Sequence, residues 1–196
     1  MTIDEILALD DGMTRTAALV EWLQGLYGGS PAVLVGGAAV ELYTGGAYTT
    51  GDIDLVGVVT PAVQAALAAT GFTRHGRHWV HEATQTFVEF PRDSLDPDER
   101  ADWLEVEGRR IRVVSAEDLL VDRLGAWEYW SSSVDGMNAW MLWQAQRDRI
   151  DRDRLEARIE EAGWSRAWRA VQEADRRWTP LDPSPEELEA WARAGP

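Results

Sequence analysis

Asp52 and Asp54 are separated by a single isoleucine. On a strand, that spacing sends both carboxylates to one face and Ile53 to the other. Two neighbouring carboxylates repel each other unless a cation lies between them, and hard oxygen donors suit Mg²⁺. Upstream, the apolar run Ala32-Val33-Leu34-Val35 ends in Gly36-Gly37, and a helix-like segment follows from Ala38 to Tyr43. Two glycines allow a sharp turn and a close approach by a ligand. A helix starting there points its free N–H groups and positive dipole end back at the turn, which suits phosphate. A phosphate cradle beside a Mg²⁺ site is equipment for phosphoryl or nucleotidyl transfer.

The elements that must position these residues can be read on either side. Ala32 to Val35 is short and β-branched, as a buried strand should be. A Gly/Thr-rich loop then leads into a second strand, Asp52 to Val56. Thr60 caps a helix that opens at Pro61, runs to Thr70 and ends at Gly71. Strand, helix, strand, helix is the opening of an α/β sheet. Before it, residues 3–10 form a short amphipathic start, and Thr14 to Leu26 has a helical rhythm. After it come two short strands, Trp79 to His81 and Thr86 to Phe90. Pro91 to Asp102 reads as a loop. Trp103 to Val106 and Arg109 to Val114 make a hairpin around Glu107-Gly108. Ser115 then caps a helix, with Asp118 approximating a capping box. From there the chain reads as about four helices, with breaks at Ser131 to Ser133, near Asp148 to Asp153, at Gly163, and from Thr179 to Pro185.

The pair Gly36-Gly37, followed by Asp52-x-Asp54 on the next strand, resembles the signature of the polymerase-β-type nucleotidyltransferase superfamily. The closer resemblance is to its small bacterial and archaeal members, some of which are toxin halves of toxin–antitoxin pairs or abortive-infection proteins. In that family a third carboxylate comes from a later strand. Glu89, within Phe87-Val88-Glu89-Phe90-Pro91, fits that place. The segment Ser115 to Leu124 resembles the helix after the catalytic sheet, and Asp135 falls at the head of the next helix. The resemblance spans residues 30 to 145. It implies that Asp52, Asp54 and Glu89 hold Mg²⁺ or Mn²⁺ against the phosphates of a nucleoside triphosphate (NTP), with Glu89 available as a general base. Gly36 and Gly37 would face phosphate, with Arg123 and Asp135 at the edge of the site. Many relatives also carry a basic residue just ahead of the Asp-x-Asp. Here Tyr43 to Gly51 contains none, and Arg74, Arg77 or Arg123 would have to replace it.

Composition narrows the classes. A chain of 196 residues with 45% hydrophobic content can bury a core as one domain with a helical annex. It has no cysteine, which excludes disulfides, thiolate catalysis and Cys-type zinc sites. All 19 basic residues are arginine, so chemistry that needs a lysine amine is excluded. No apolar stretch is long enough to span a membrane, and the acidic N-terminus does not resemble a signal peptide. A cytoplasmic protein is therefore expected. The net charge of −15 opposes general nucleic-acid binding. Charge is uneven, however: residues 145–178 hold nine arginines against eight acids. Close alternation of sign there suggests a solvated helix with i,i+4 pairs rather than a basic binding face.

Each feature also has a plainer reading. The aspartates could cap a turn, and Glu89 could simply face solvent. Val88 and Phe90 read as a buried pair, with Glu89 on the other face beside Phe87. Gly36 and Gly37 could serve only the turn. Glu41 and Tyr43 are read as surface and packing residues. His75, His78 and His81 are spaced like metal ligands on a helix. Their glycine-rich, strand-like surroundings favour ordinary hairpin histidines, which with Arg74 and Arg77 could form a basic lip over the site. The pairs Trp127/Trp130, Trp140/Trp143 and Trp164/Trp168 recur at helical spacing and read as helix-packing core.

The expected fold is α/β (α+β), a mixed-sheet nucleotidyltransferase core flanked by helices. It occupies residues 1–115, with a C-terminal helical region, 116–196, packed on it. The expected function is Mg²⁺-dependent transfer of a nucleoside monophosphate from an NTP to an unidentified acceptor, in a protein that could meet an antitoxin-like partner. The alternatives are a catalytically inactive binding module on the same fold, and a phosphohydrolase using the same carboxylates.

Overall fold

The computed structural model describes residues 1–10, 12–179 and 181–196. Asp11, and Pro180 within the last expected helix break, lie outside the described residues. The chain divides into two compact units, Met1–Ser115 and Ala116–Pro196.

The first unit carries helices α1 (Ile3–Leu7), α2 (Met13–Gly25), α3 (Gly36–Tyr43) and α4 (Pro61–Ala69). Its strands are β1 (Val33–Val35), β2 (Asp52–Val56), β3 (Thr73–His75), β4 (His78–His81), β5 (Thr86–Glu89), β6 (Ala101–Val106) and β7 (Arg109–Val114). They form one mixed sheet in the order β3-β4-β5-β2-β1-β7-β6. The β2/β5 and β1/β7 pairs are parallel, and the other neighbours are antiparallel. The middle of the sheet is its most apolar part: Leu34, Leu55, Val88 and Val113 are completely buried. The predicted cap of α4 forms, with the Thr60 hydroxyl accepting from the Val63 amide and Pro61 in the first turn. Gly71, at φ +87°, follows the end of that helix.

Three local expectations need correction. The strand β3 was not foreseen, because all three of its residues are exposed. It lies at the sheet edge, where pairing needs no apolar alternation. The strand β6 starts at Ala101, inside the expected loop, because its register with β7 runs as far as Ala101 opposite Val114. Glu41 is not a surface residue: it is fully buried and accepts a hydrogen bond from the Thr16 hydroxyl at 3.2 Å. Tyr43 is buried too, and its hydroxyl donates to the Val114 carbonyl at 2.9 Å.

The second unit is helical: α5 (Ala116–Trp130), α6 (Ser133–Gln146), α7 (Arg152–Ala162), α8 (Ser165–Trp178) and α9 (Pro185–Ala194). Among the described residues it has five helices, one more than expected, because the segment after the last break forms a helix of its own. Ser132, Asp151 and Ser184 cap α6, α7 and α9, and Gly163 ends α7 at φ +86°. The tryptophans are largely core, as their spacing suggests. Trp127, Trp140, Trp143 and Trp168 are buried, and Trp143 meets Trp168 edge-on at 4.9 Å. Trp130 departs from the pattern, at 76% exposed. Arginines of this region pair both along a helix, as Arg158 does with Glu161 at 3.2 Å in α7, and between helices. Arg154 and Arg158 both bind the buried Asp118 carboxylate of α5, at 2.6 and 3.2 Å, and Arg147 binds Asp175 at 3.0 Å. Among the described residues, no helix is long and apolar enough to cross a membrane.

Candidate active site

The candidate site lies on the sheet of the first unit. Asp52 begins β2 and is exposed, whereas Asp54, two residues on, is partly buried. Ile53 between them is buried at 4% exposure, on the opposite face. The neighbouring strands bring in the other candidates. Asp54 pairs in register with Val35 of β1 on one side and with Glu89 of β5 on the other. Strand neighbours in register point the same way, so Asp52, Asp54 and Glu89 share one face of the sheet. Phe87, opposite Asp52, shares it as well.

Gly36 follows β1 directly and opens α3 at φ +68°, a left-handed conformation that favours glycine. A Cβ at Gly36 would fall 2.2 Å from Asp54 Oδ2. The absence of a side chain therefore lets the helix start lie directly against the Asp54 carboxylate. Gly37 is covered from another direction: a Cβ there would meet Thr50 Oγ1 at 3.1 Å and Tyr48 Cε1 at 3.4 Å. Val35 supplies no side-chain cap to α3, and the N-terminal end of a helix is the end that suits an anion.

Glu89 already has two partners on its own face. Arg77 Nε lies 2.7 Å from its Oε1, and His78 Nδ1 lies 3.2 Å from its Oε2. These contacts follow from register: β4 runs antiparallel to β5, with His81 opposite Thr86 and His78 opposite Glu89. The three histidines do not act together. His78 meets Glu89, His75 lies 3.7 Å from Glu82, and His81 bonds Thr84 and packs on Phe72. Arg74 turns back on its own hairpin, with Nε donating to the Gly76 carbonyl at 2.9 Å.

Arg123 and Asp135 belong to the second unit and bind each other at 2.5 Å, with Arg123 also paired to Asp122. The structure thus brings Gly36, Asp52, Asp54 and Glu89 together on the sheet, and Arg123 with Asp135 on the helices.

As donors for a hard divalent cation, the residues fit in kind: three carboxylates on one sheet face, with a glycine cradle over Asp54 Oδ2. Asp52 and Asp54 would hold the ion first, because both oxygens of Glu89 face Arg77 and His78. Among the described residues, no three His, Cys, Asp or Glu side chains close on a single point.

Two features were missed by sequence reasoning. One is the Arg77–Glu89–His78 cluster, whose signal is the hairpin register. The other is a cavity of about 320 Å³ on the Ile53 face, bordered by Arg15, Thr16, Thr50 and Thr86. Arg15 crosses it to donate to the Thr86 hydroxyl at 2.6 Å. No local spacing announces that cavity, because its walls come from distant parts of the chain.

A mixed sheet that presents paired aspartates beside a glycine-led helix is the arrangement of nucleotidyltransferase folds. The chain belongs to the family described as "Nucleotidyltransferase of unknown function (DUF6036)", which it matches over residues 16–182. The fold is similar to the solution structure of the antibiotic-resistance factor ANT(2'')-Ia, at 13% identity and a TM-score of 0.51, covering 90% of this chain and all of that one. An antigenic nucleotidyltransferase-like protein from Paracoccidioides brasiliensis aligns at 16% identity and a TM-score of 0.49, over 86% of this chain and 94% of that one. No curated protein matches the sequence.

Proposed function

We propose that the protein transfers a nucleoside monophosphate from an NTP to an acceptor hydroxyl, with Mg²⁺ or Mn²⁺ as cofactor. The observation that carries this is the placing of Asp54 between Gly36 and Glu89. One carboxylate touches the start of α3 and stands in register with a second acid. Family membership supports the same reaction class.

In this reading the amides of α3 bind the phosphate chain, and Gly36 lets it approach Asp54. Asp52 and Asp54 hold the cation. The acceptor oxygen attacks the α-phosphorus, the bond to the bridging oxygen breaks, and pyrophosphate leaves. The acceptor proton passes to a carboxylate, for which Glu89 is the candidate. The cation, when bound, supplies charge neutralisation at the leaving pyrophosphate and lowers the acceptor's pKa. A cytoplasmic location and a toxin–antitoxin or defence setting belong to the proposal through sequence resemblance, and an antitoxin-like protein is the partner that setting implies.

A specific observation favours a second reading. Glu89 sits between Arg77 and His78, as it would in a fold kept only for binding. One experiment separates the two. ATP, GTP, CTP and UTP are titrated calorimetrically into wild type and Asp54→Asn, with and without Mg²⁺. Binding that needs both Mg²⁺ and Asp54 is the expected result. Nucleotide binding indifferent to both, or none at all, would refute the enzyme reading.

A further inference from the structure

The loop from Tyr43 to Gly51, which leads from α3 to the Asp-x-Asp strand, contains no basic residue. A nucleoside triphosphate would bring several negative charges to a face that already carries three carboxylates, in a chain of net charge −15. Two side chains on β2 and β5, in register and of like charge, also repel each other in the resting protein. Both problems call for a cation at the same place.

Arg77 is there. It stands beside Gly76, at φ +65°, in the two-residue turn that links His75 to its register partner His78. That turn fixes its backbone next to β5, while its side chain stays 70% exposed and reaches Glu89. Glu89 itself is only 15% exposed. An ion pair with one partner this exposed is held by a factor of about five at most. It is therefore readily exchanged for a stronger partner. Arg74, the other arginine of the hairpin, is bonded to Gly76 and does not share this position. The guanidinium fork also matches the oxygens of a phosphate.

We infer that Arg77 is the counter-ion of Glu89 in the resting site and becomes the triphosphate-binding cation when a divalent ion takes over that carboxylate. The inference rests on the nucleotidyltransferase reading above and names a positioning role that the loop ahead of Asp52 does not fill. It makes an unusual demand: removing one arginine must strengthen metal binding and weaken nucleotide binding.

Wild type, Arg77→Ala, Arg77→Lys and Arg74→Ala are compared in two titrations. Mn²⁺ binding without nucleotide is followed by the electron paramagnetic resonance of the free ion. Binding of each of the four NTPs is followed calorimetrically at saturating Mg²⁺. Arg77→Ala should bind Mn²⁺ about two- to fivefold more tightly and the nucleotide about tenfold more weakly. Arg77→Lys should keep the wild-type Mn²⁺ affinity and recover part of the nucleotide affinity. Arg74→Ala should change neither. Unchanged or weaker Mn²⁺ binding by Arg77→Ala, or wild-type nucleotide affinity, overturns the inference. So does an Arg74→Ala protein that behaves like Arg77→Ala, since bulk charge would then explain both. If wild type binds metal and nucleotide while Arg77→Ala is silent, the inference alone falls. If wild type binds no nucleotide, the nucleotidyltransferase reading falls with it.

Discussion

Gly36→Ala tests how tightly the candidate site is built. A β-carbon would arrive 2.2 Å from Asp54 Oδ2, 3.1 Å from its Cγ and 3.2 Å from its Cβ. Turning the carboxylate away relieves the first contact but leaves the other two tight. Pushing the side chain off its rotamer costs about 0.5–1.5 kcal/mol. Alanine must also hold φ near +68°, which costs roughly 1–2 kcal/mol more. Together these give about 1.5–3.5 kcal/mol of lost stability. Gly37→Ala is the control, since the nearest atoms to its new β-carbon belong to Thr50 and Tyr48 of the adjoining loop, at 3.1–3.4 Å. The gain in helix preference, about 0.5–1 kcal/mol, offsets that crowding, so its net effect should be near zero. Urea unfolding measures both variants. An Asp54→Ala background should remove the contacts with Oδ2 and Cγ and leave the Cβ contact and the backbone share, a coupling visible in a double-mutant cycle. Because the displaced group is the proposed metal donor, Gly36→Ala should also lose Mg²⁺-dependent nucleotide binding. A Gly36→Ala protein as stable as wild type, or a Gly37→Ala protein that is less stable than it, would refute the reasoning.

Two further expectations concern stability away from the site. Asp118→Ala removes the buried partner of Arg154 and Arg158, whose side chains are only 11% and 17% exposed. Arg154 keeps Glu117 at 3.8 Å and Arg158 keeps Glu161 at 3.2 Å, so the loss should fall at the low end for a broken buried pair, about 3 kcal/mol in urea unfolding, and a loss below about 1 kcal/mol would show that the cluster is solvated. The Tyr27 hydroxyl is buried without a hydrogen-bond partner, and burial, with the charge of Asp93, pushes its pKa from 10.0 up to about 12. A raised folded-state value means that its contribution is fully present below pH 10 and lost as the pH climbs through about 12. Absorbance titration should therefore show a tyrosine ionisation step near pH 12. Tyr27→Phe should delete that step and leave stability at neutral pH equal or higher, and a destabilised Tyr27→Phe would contradict the missing partner.

What could be read from the sequence was what local spacing controls. Asp52 and Asp54 share a face because strands alternate. Pro61 and Thr60 start a helix by chemistry confined to one turn. The tryptophan stripes follow the helical period, and so they mark the core. Glu41 defeated the same reasoning: a glutamate on a short helix looks exposed until Thr16, from α2, supplies its partner. The reading of Asp118 as part of a local capping box left out its partners 36 and 40 residues away, Arg154 and Arg158. Both omissions have one cause, since burial of a charged group is decided by groups distant in the chain.

The Arg77–Glu89 contact lies between these extremes. Both residues were named as candidates from the sequence, but nothing local joins them. The join is made by one quantity, the register of the β4–β5 hairpin. Once Glu82 to Gln85 is the turn, with Gln85 left-handed at φ +49°, His81 faces Thr86, and counting back along both strands puts His78 opposite Glu89. Arg77 then follows as the next residue in the β3–β4 turn. A slip of one residue would move His78 to the other face and take Arg77 away from Glu89. The electrostatics of the candidate site are thus set by a turn that contains none of its residues, and changes to that turn should disturb metal and nucleotide affinity as surely as changes to the carboxylates.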